Sequence, residues 1–223
     1  EHLTKILAIE TSSDACSVAV SDGQSDYSFH ELMPRQHTEE LLGVIDDLLN
    51  SASLSIGDID AVAVGCGPGS FTGIRLACST AQGIAFSQNI SGIVVPSLDI
   101  LASSINRSES VEKIVSIVDA NIDRLYIGKY TYSGKFLKNA DLKSIPRDEF
   151  NPHIYDEETF FVGEGCRLVS GLIQTVSNKM RFELPSALEL LQIAKEKFDK
   201  KETVNCEEIL PMYLTEESNW VKS

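Results

Sequence analysis

The sequence has no apolar run approaching the ~20 residues that a membrane-spanning helix needs, so no membrane is expected among its partners. It has no run of Lys or Arg either. With 19 basic against 33 acidic residues the net charge is −14. A surface of that sign repels nucleic acid, whose binding depends on cations at the phosphates, so the chain alone is expected to bind RNA or DNA poorly and to need a basic partner for any work on them. Cysteine occurs five times, at Cys16, Cys66, Cys78, Cys166 and Cys206, an odd number with no C-x-x-C pair. That usage fits reduced thiols serving as small apolar residues in a cytoplasmic protein. No basic stretch followed by an apolar one opens the chain, and no secretory signal is expected. Histidine is scarce: His2, His30, His37 and His153 include no helical i, i+4 pair, which argues against a two-histidine metal site. His37 reads as a polar residue at a helix start, and no metal is expected.

Three further absences concern one stretch, residues 65–75, GCGPGSFTGIR. Pro68 and Thr72 flank Ser70 where a nucleophile elbow needs glycines. Counting from Gly67, Gly69 fits a dinucleotide fingerprint but Thr72 stands where its third glycine belongs. No Gly-Lys-Ser/Thr follows, so there is no P-loop. What remains is a glycine-rich turn between an apolar strand and a helix, which leaves backbone N–H groups open to an anion. Close packing of strand on helix explains the glycines equally well, and both readings stand. The turn after residues 5–9, ETSSDAC, offers hydroxyls and N–H groups of the same kind. Ser12, Ser13, Gly67, Gly69 and Ser70 are therefore the candidate phosphate-type residues. Glu10 and Asp119 end strands and are candidate carboxylates, although solvation is the commoner fate of such groups. Neither loop holds a lysine, and Arg75 is expected in a surface ion pair. No catalytic residue and no cofactor is nominated; a nucleotide would be held only weakly or within a complex.

What is present is an alternation of strands and helices. Residues 5–9, 16–20 and 27–32 read as a β-meander. Residues 36–50 carry apolar positions at helical spacing behind a polar, acidic first turn. A buried strand at 59–65, a helix at 72–87, a strand at 90–96 and a helix capped by Ser97 follow. A meander followed by α/β crossovers implies a mixed sheet flanked by helices. Residues 106–110, NRSES, look like a linker, giving an expected division into lobes at 1–105 and 106–223, with the C-terminal segment a candidate to pack back on the first. In the second lobe, 113–121 and 125–132 read as strands, 138–158 as irregular, 159–166 as strand then turn, and 186–198 as an amphipathic helix. Two hairpin-led halves hint at an internal duplication. Within 72–87, Gly73, Ala77 and Ala81 form a stripe of small residues flanked by Ile74, Leu76 and Ile84. It serves either packing within the chain or a helical contact with another chain.

Taken in order, ILAIETSSDACSVAV, PRQHTEELL, GCGPGSFTGIRLACSTAQGIAF, VPSLDIL, DANIDRLYIGKY and VGEGC resemble the bacterial TsaB (YeaZ) family over essentially the whole chain. Its closing motif also resembles residues 208–220, except that Thr215 stands where the family has arginine. The resemblance implies an α/β fold of the ASKHA type, that of actin, Hsp70 and sugar kinases, with the second lobe reduced. It implies a non-catalytic role in making threonylcarbamoyladenosine in tRNA, beside a catalytic paralogue, TsaD, whose metal is held by a helical H-x-x-x-H. Here the comparable helix keeps His37 and has Leu41 in place of the second histidine. The implied partners are a TsaD-like paralogue and a TsaE-like ATPase, with tRNA met only through the complex and a homodimer when the paralogue is absent. Leu41, Ile45, Ile74, Ala77, Ala81 and Ile84 are the expected interface. The alternative is an ASKHA-type nucleotide hydrolase or phosphotransferase using the two loops.

Overall fold

The computed structural model describes residues 3–34 and 37–214. It forms two compact units. One holds the described residues up to Ile100 together with Pro185–Met212; the other holds Leu101–Leu184 with Tyr213 and Leu214.

The first unit is built on a five-stranded sheet in the order β3-β2-β1-β4-β5. Its strands are β1 (Ile6–Glu10), β2 (Ala15–Ser21), β3 (Asp26–Leu32), β4 (Ala61–Gly65) and β5 (Ser91–Val95). The meander β1-β2-β3 pairs antiparallel, and β4 and β5 then add in parallel. Every residue of β1, β2 and β4 is buried. That is why these segments read as continuous apolar runs: both faces of the sheet are covered. On one face Ala8, Ala19, Ala61 and Ala63 leave room for Ala187, Leu190, Leu191 and Ala194 of the last helix, α5 (Ala187–Asp199). Helices α1 (His37–Ser51) and α2 (Phe71–Gln88) also pack on this sheet, α1 on β2 and α2 on β4. The C-terminal segment closes the unit. Val204 bridges to Gly92, whose missing side chain is filled by Ile209, and the Met212 N–H donates to the Cys66 carbonyl at 2.8 Å.

The second unit repeats the plan. Its sheet runs β8-β7-β6-β9-β10, with β6 (Lys113–Asp119), β7 (Arg124–Ser133), β8 (Phe136–Pro146), β9 (Phe160–Val162) and β10 (Met180–Arg181). Again a meander pairs antiparallel and the last two strands add in parallel. The order is the same as in the first unit, strand for strand, so the hint of duplication is realised in the topology. The copy is reduced. An 18-residue α2 crosses between β4 and β5, while only the 8-residue α4 (Cys166–Ile173) crosses between β9 and β10. Where α1 would lie there are short 3₁₀ turns, and Phe150 and Tyr155 from that stretch fill the core against Phe161 and Val169.

Four expectations change. Residues 106–109 are not a linker but the last turn of α3 (Ser97–Glu109), and Asn106 is buried. Residues 138–146, read as irregular, belong to β8, an edge strand whose first six residues are exposed and so carry no apolar alternation. The helix α4 follows directly on the glycines at 163 and 165, where only a turn was expected. Ser97 is not a cap: the Asp99 and Ile100 N–H groups donate to the Pro96 carbonyl, and the Ser97 hydroxyl goes elsewhere. The departure at Thr215 lies outside the described residues.

Candidate functional site

Glu10 ends β1 and is completely buried. One carboxylate oxygen accepts the Ser12 N–H at 2.6 Å, and the other accepts the Ser97 hydroxyl at 3.1 Å. Burial pushes its pKa up, against those hydrogen bonds. The carboxylate explains Gly65: a Cβ there would lie 1.7 Å from Glu10 Oε2. A group whose folded pKa is raised favours the fold most below its unfolded pKa, and that contribution is lost as pH rises. Glu10→Gln, which keeps an acceptor and removes the buried charge, should therefore raise Tm near pH 8, with the gain shrinking toward pH 4.5. A gain that is flat with pH in thermal melts would refute this account of Glu10.

The glycine-rich turn meets the β1–β2 turn of the same chain. The Ser70 N–H donates to the Ser12 carbonyl at 2.7 Å. A Cβ on Gly69 would stand 2.3 Å from that carbonyl oxygen, and one on Gly73 would stand 1.9 Å from the Thr11 carbonyl oxygen. Thr11 Oγ1 in turn donates to the Gly73 carbonyl at 2.7 Å. Gly67 has φ +100°, and its carbonyl accepts the Ser97 N–H at 2.8 Å. Ser70 caps α2, its hydroxyl accepting from the Gly73 N–H at 3.3 Å. Ser13 uses its hydroxyl to accept the Ala15 N–H. The structure thus brings Ser12, Gly67, Gly69 and Ser70 into two apposed turns beside the end of β1, and what Gly69 and Gly73 approach is protein backbone. Cys66 and Cys78 lie buried nearby, and burial raises both thiols, Cys78 to about 12, so neither supplies a nucleophile at neutral pH.

The second unit holds a counterpart. Asp119 ends β6 as Glu10 ends β1. Its Oδ1 accepts the N–H two residues on, from Asn121, as Glu10 accepts from Ser12. Gly163 and Gly165 follow β9 as Gly67 and Gly69 follow β4, with Gly163 at φ +116°.

His37 is buried and its Nε2 lies 2.8 Å from the Ser13 carbonyl. A carbonyl only accepts, so Nε2 carries the proton, and the histidine ties the start of α1 to the β1–β2 turn. Leu41, one turn on, is fully buried. No group of three or more His, Cys, Asp or Glu side chains is placed to hold a metal among the described residues. Arg75 lays its guanidinium over the Phe71 ring, 3.3 Å from the centroid, a cation–π contact.

The expected interface side chains point the other way. Leu41, Ile45, Ile74, Ala77 and Ala81 are buried in the chain's own core, and Ile84 is half-buried. The small-residue stripe lets α2 lie close on the sheet, and the five buried side chains are spent on the unit's own core. The outward faces are different residues: Leu42 and Gly43 on α1, and Phe71, Gly83 and Phe86 on α2, with Phe86 79% exposed. No neighbour lies within 4 Å of where a Cβ would be on Gly43 or Gly83. Glycine at an exposed helical position costs about 1 kcal/mol against alanine.

All five cysteines are free. Among the described residues no helix is long and apolar enough to cross a membrane.

A family model described as TsaD, tRNA N6-adenosine threonylcarbamoyltransferase, matches residues 30–218. The tRNA threonylcarbamoyladenosine biosynthesis protein TsaB of Haemophilus influenzae is 31% identical, over 100% of this chain and 98% of its own length. TsaB of Escherichia coli K12 is 32% identical over 98% of this chain and 97% of its own. The solved structure of YeaZ from Pseudomonas aeruginosa superposes with a TM-score of 0.82 at 31% identity, covering 95% of this chain and 100% of that one. With the duplicated sheet order and the paired strand-end carboxylates and glycine turns, these matches carry one conclusion: the chain has the ASKHA-type fold and belongs to the TsaB (YeaZ) family.

Proposed function

We propose that the chain is an accessory subunit in the biosynthesis of N6-threonylcarbamoyladenosine in tRNA, activating a TsaD-like catalytic paralogue by forming a heterodimer with it and carrying no catalysis of its own. The observation that carries this reading is the helix starting at His37. The resemblance places a metal-binding H-x-x-x-H there in the catalytic paralogue, and here the second position is Leu41, buried in the core. His37 itself is committed to the Ser13 carbonyl. The first glycine turn supports the same reading, because Ser70 spends its N–H on Ser12 and Gly69 and Gly73 are closed by backbone. A phosphate would have to displace those contacts, so a nucleotide would be held there only weakly or within the complex.

The partner surface is the outward face of α1 and α2. A TsaE-like ATPase joins the pair, and a second copy occupies the face when the paralogue is absent. The tRNA is met within the complex, and the complex works in the cytoplasm. The test is reconstitution with purified paralogue, ATPase, substrates and unmodified tRNA. Modification should require this chain together with the paralogue, and the chain alone should neither modify tRNA nor turn over ATP. Turnover by the isolated chain, lost in a Glu10 or Asp119 variant, would establish the hydrolase reading instead.

A further inference from the structure

The basic residues of this acidic chain are not spread evenly. The hairpin β7–β8, Arg124 to Pro146, holds Arg124, Lys129, Lys135, Lys138 and Lys143, and Asp141 is its one acidic residue. A segment of net +4 thus stands in a chain of net −14. Such a concentration gives the hairpin a local field opposite in sign to that of the whole molecule.

The fold does not account for the two lysines at the hairpin's tip. Lys135 sits in the tip turn with Gly134 at φ +59°, and Lys138 follows the strand's start at Phe136. Both lysines are exposed, and no ion pair holds either among the described residues. A register shift between Thr131 and Tyr132 interrupts the ladder beside them. Such bulges re-aim side chains at the ends of a sheet. Phe136, between the two lysines, is 75% exposed. Further along, Lys129 and Lys143 lie close enough for their ammonium groups to repel, with Asp141 opposite Lys129 in the register. Arg147 pairs with Asp123 at 2.6 Å, Arg124 donates to the Ser144 hydroxyl at 3.1 Å, and Lys129 lies 5.2 Å from the centroid of the Tyr155 ring. β8 is an edge strand, so nothing in its sheet covers its outer side.

Unpaired lysines on either side of an exposed aromatic ring in the sequence of a hairpin tip suit a nucleic acid: ammonium groups meet phosphates, and the ring offers a face to an unpaired base. We infer that the β7–β8 hairpin is an RNA-contacting arm, with Lys135 and Lys138 on the phosphate backbone and Phe136 against an unstacked base. This rests on the reading that the complex acts on tRNA, and it gives this chain a direct share in holding it.

The test is fluorescence anisotropy with a labelled, unmodified tRNA transcript, titrated with the chain plus its catalytic paralogue and with the chain alone at low salt. The double variant Lys135→Glu/Lys138→Glu should weaken binding about tenfold at 50 mM salt and lower the slope of log K against log salt by about 1.5. The control Lys200→Glu/Lys201→Glu, which changes net charge equally at exposed positions of the first unit, should change affinity less than about twofold. Phe136→Ala should weaken binding with the salt slope unchanged. Equal losses in both charge variants would overturn the inference, as would no loss in either or no RNA binding by the wild-type chain in both settings. Loss of paralogue binding with RNA affinity intact would assign the hairpin to an acidic protein surface and also overturn it. A wild-type chain that fails to bind the paralogue overturns the proposed function instead, and the variants on the chain alone then still decide the arm.

Discussion

Gly73→Ala is expected to destabilise the first unit by about 3–5 kcal/mol, although alanine is the better helix former by about 1 kcal/mol. A Cβ at position 73 would stand 1.9 Å from the Thr11 carbonyl oxygen, a distance that no relaxation of a flexible side chain relieves, because the clash is with backbone. Helix α2 must retreat from the β1–β2 turn. Its retreat stretches the 2.7 Å bond from Ser70 N–H to Ser12 and the 2.7 Å bond from Thr11 Oγ1 to the Gly73 carbonyl. Both bonds are buried or partly so, and groups left unpaired there cost about 1–3 kcal/mol each. Gly83→Ala on the same helix is the internal comparison. Nothing lies within 4 Å of its Cβ position, so it should gain about 0.5–1 kcal/mol. Urea unfolding of both variants decides the matter. Shifts in the same direction would mean that propensity, not the approach of α2 to the β1–β2 turn, governs the glycines of this helix.

Much of the first unit was legible because burial on both faces makes its strands continuous apolar runs and leaves its helices plainly periodic. Helices expected at 36–50 and 72–87 stand at His37–Ser51 and Phe71–Gln88. The second unit was harder for a physical reason. Its β8 is an exposed edge strand, and α4 has 8 residues, so neither carries a long periodic signal. At the site, composition alone could not tell an anion from backbone as the thing GCGPGSFTGIR approaches. The choice is made by Ser12 and Thr11, which are distant in sequence from Ser70 and Gly73 and adjacent in space. Ser97 was misread in the same way: a serine before a helix suggests a cap, but a buried carboxylate from β1 claims its hydroxyl. Ala77 and Ala81 show the limit of a stripe as a signal, since small residues at helical spacing serve a sheet beneath as well as a helix above.

Gly83→Arg should leave the first unit folded and weaken binding to the catalytic paralogue by at least about 100-fold, roughly 3 kcal/mol. The position is exposed and open, and arginine is a good helix former, so the fold has no reason to object. The partner does. A glycine on an outward helical face is useful where another backbone must come close, and a long cation there holds the two helices apart. Phe86, three residues on and 79% exposed, supplies the apolar surface such a contact would cover. Gly43 and the 66%-exposed Leu42 offer the corresponding pair on α1. Ala77→Arg makes the contrast: its side chain is fully buried, so that variant should unfold the unit before any partner is tested. Calorimetric titration against the paralogue, with a melting curve of each variant beside it, separates the two cases. Gly83→Arg that melts like the wild type and still binds the paralogue with unchanged affinity would remove α2 from the interface, and with it the surface on which the activating role depends.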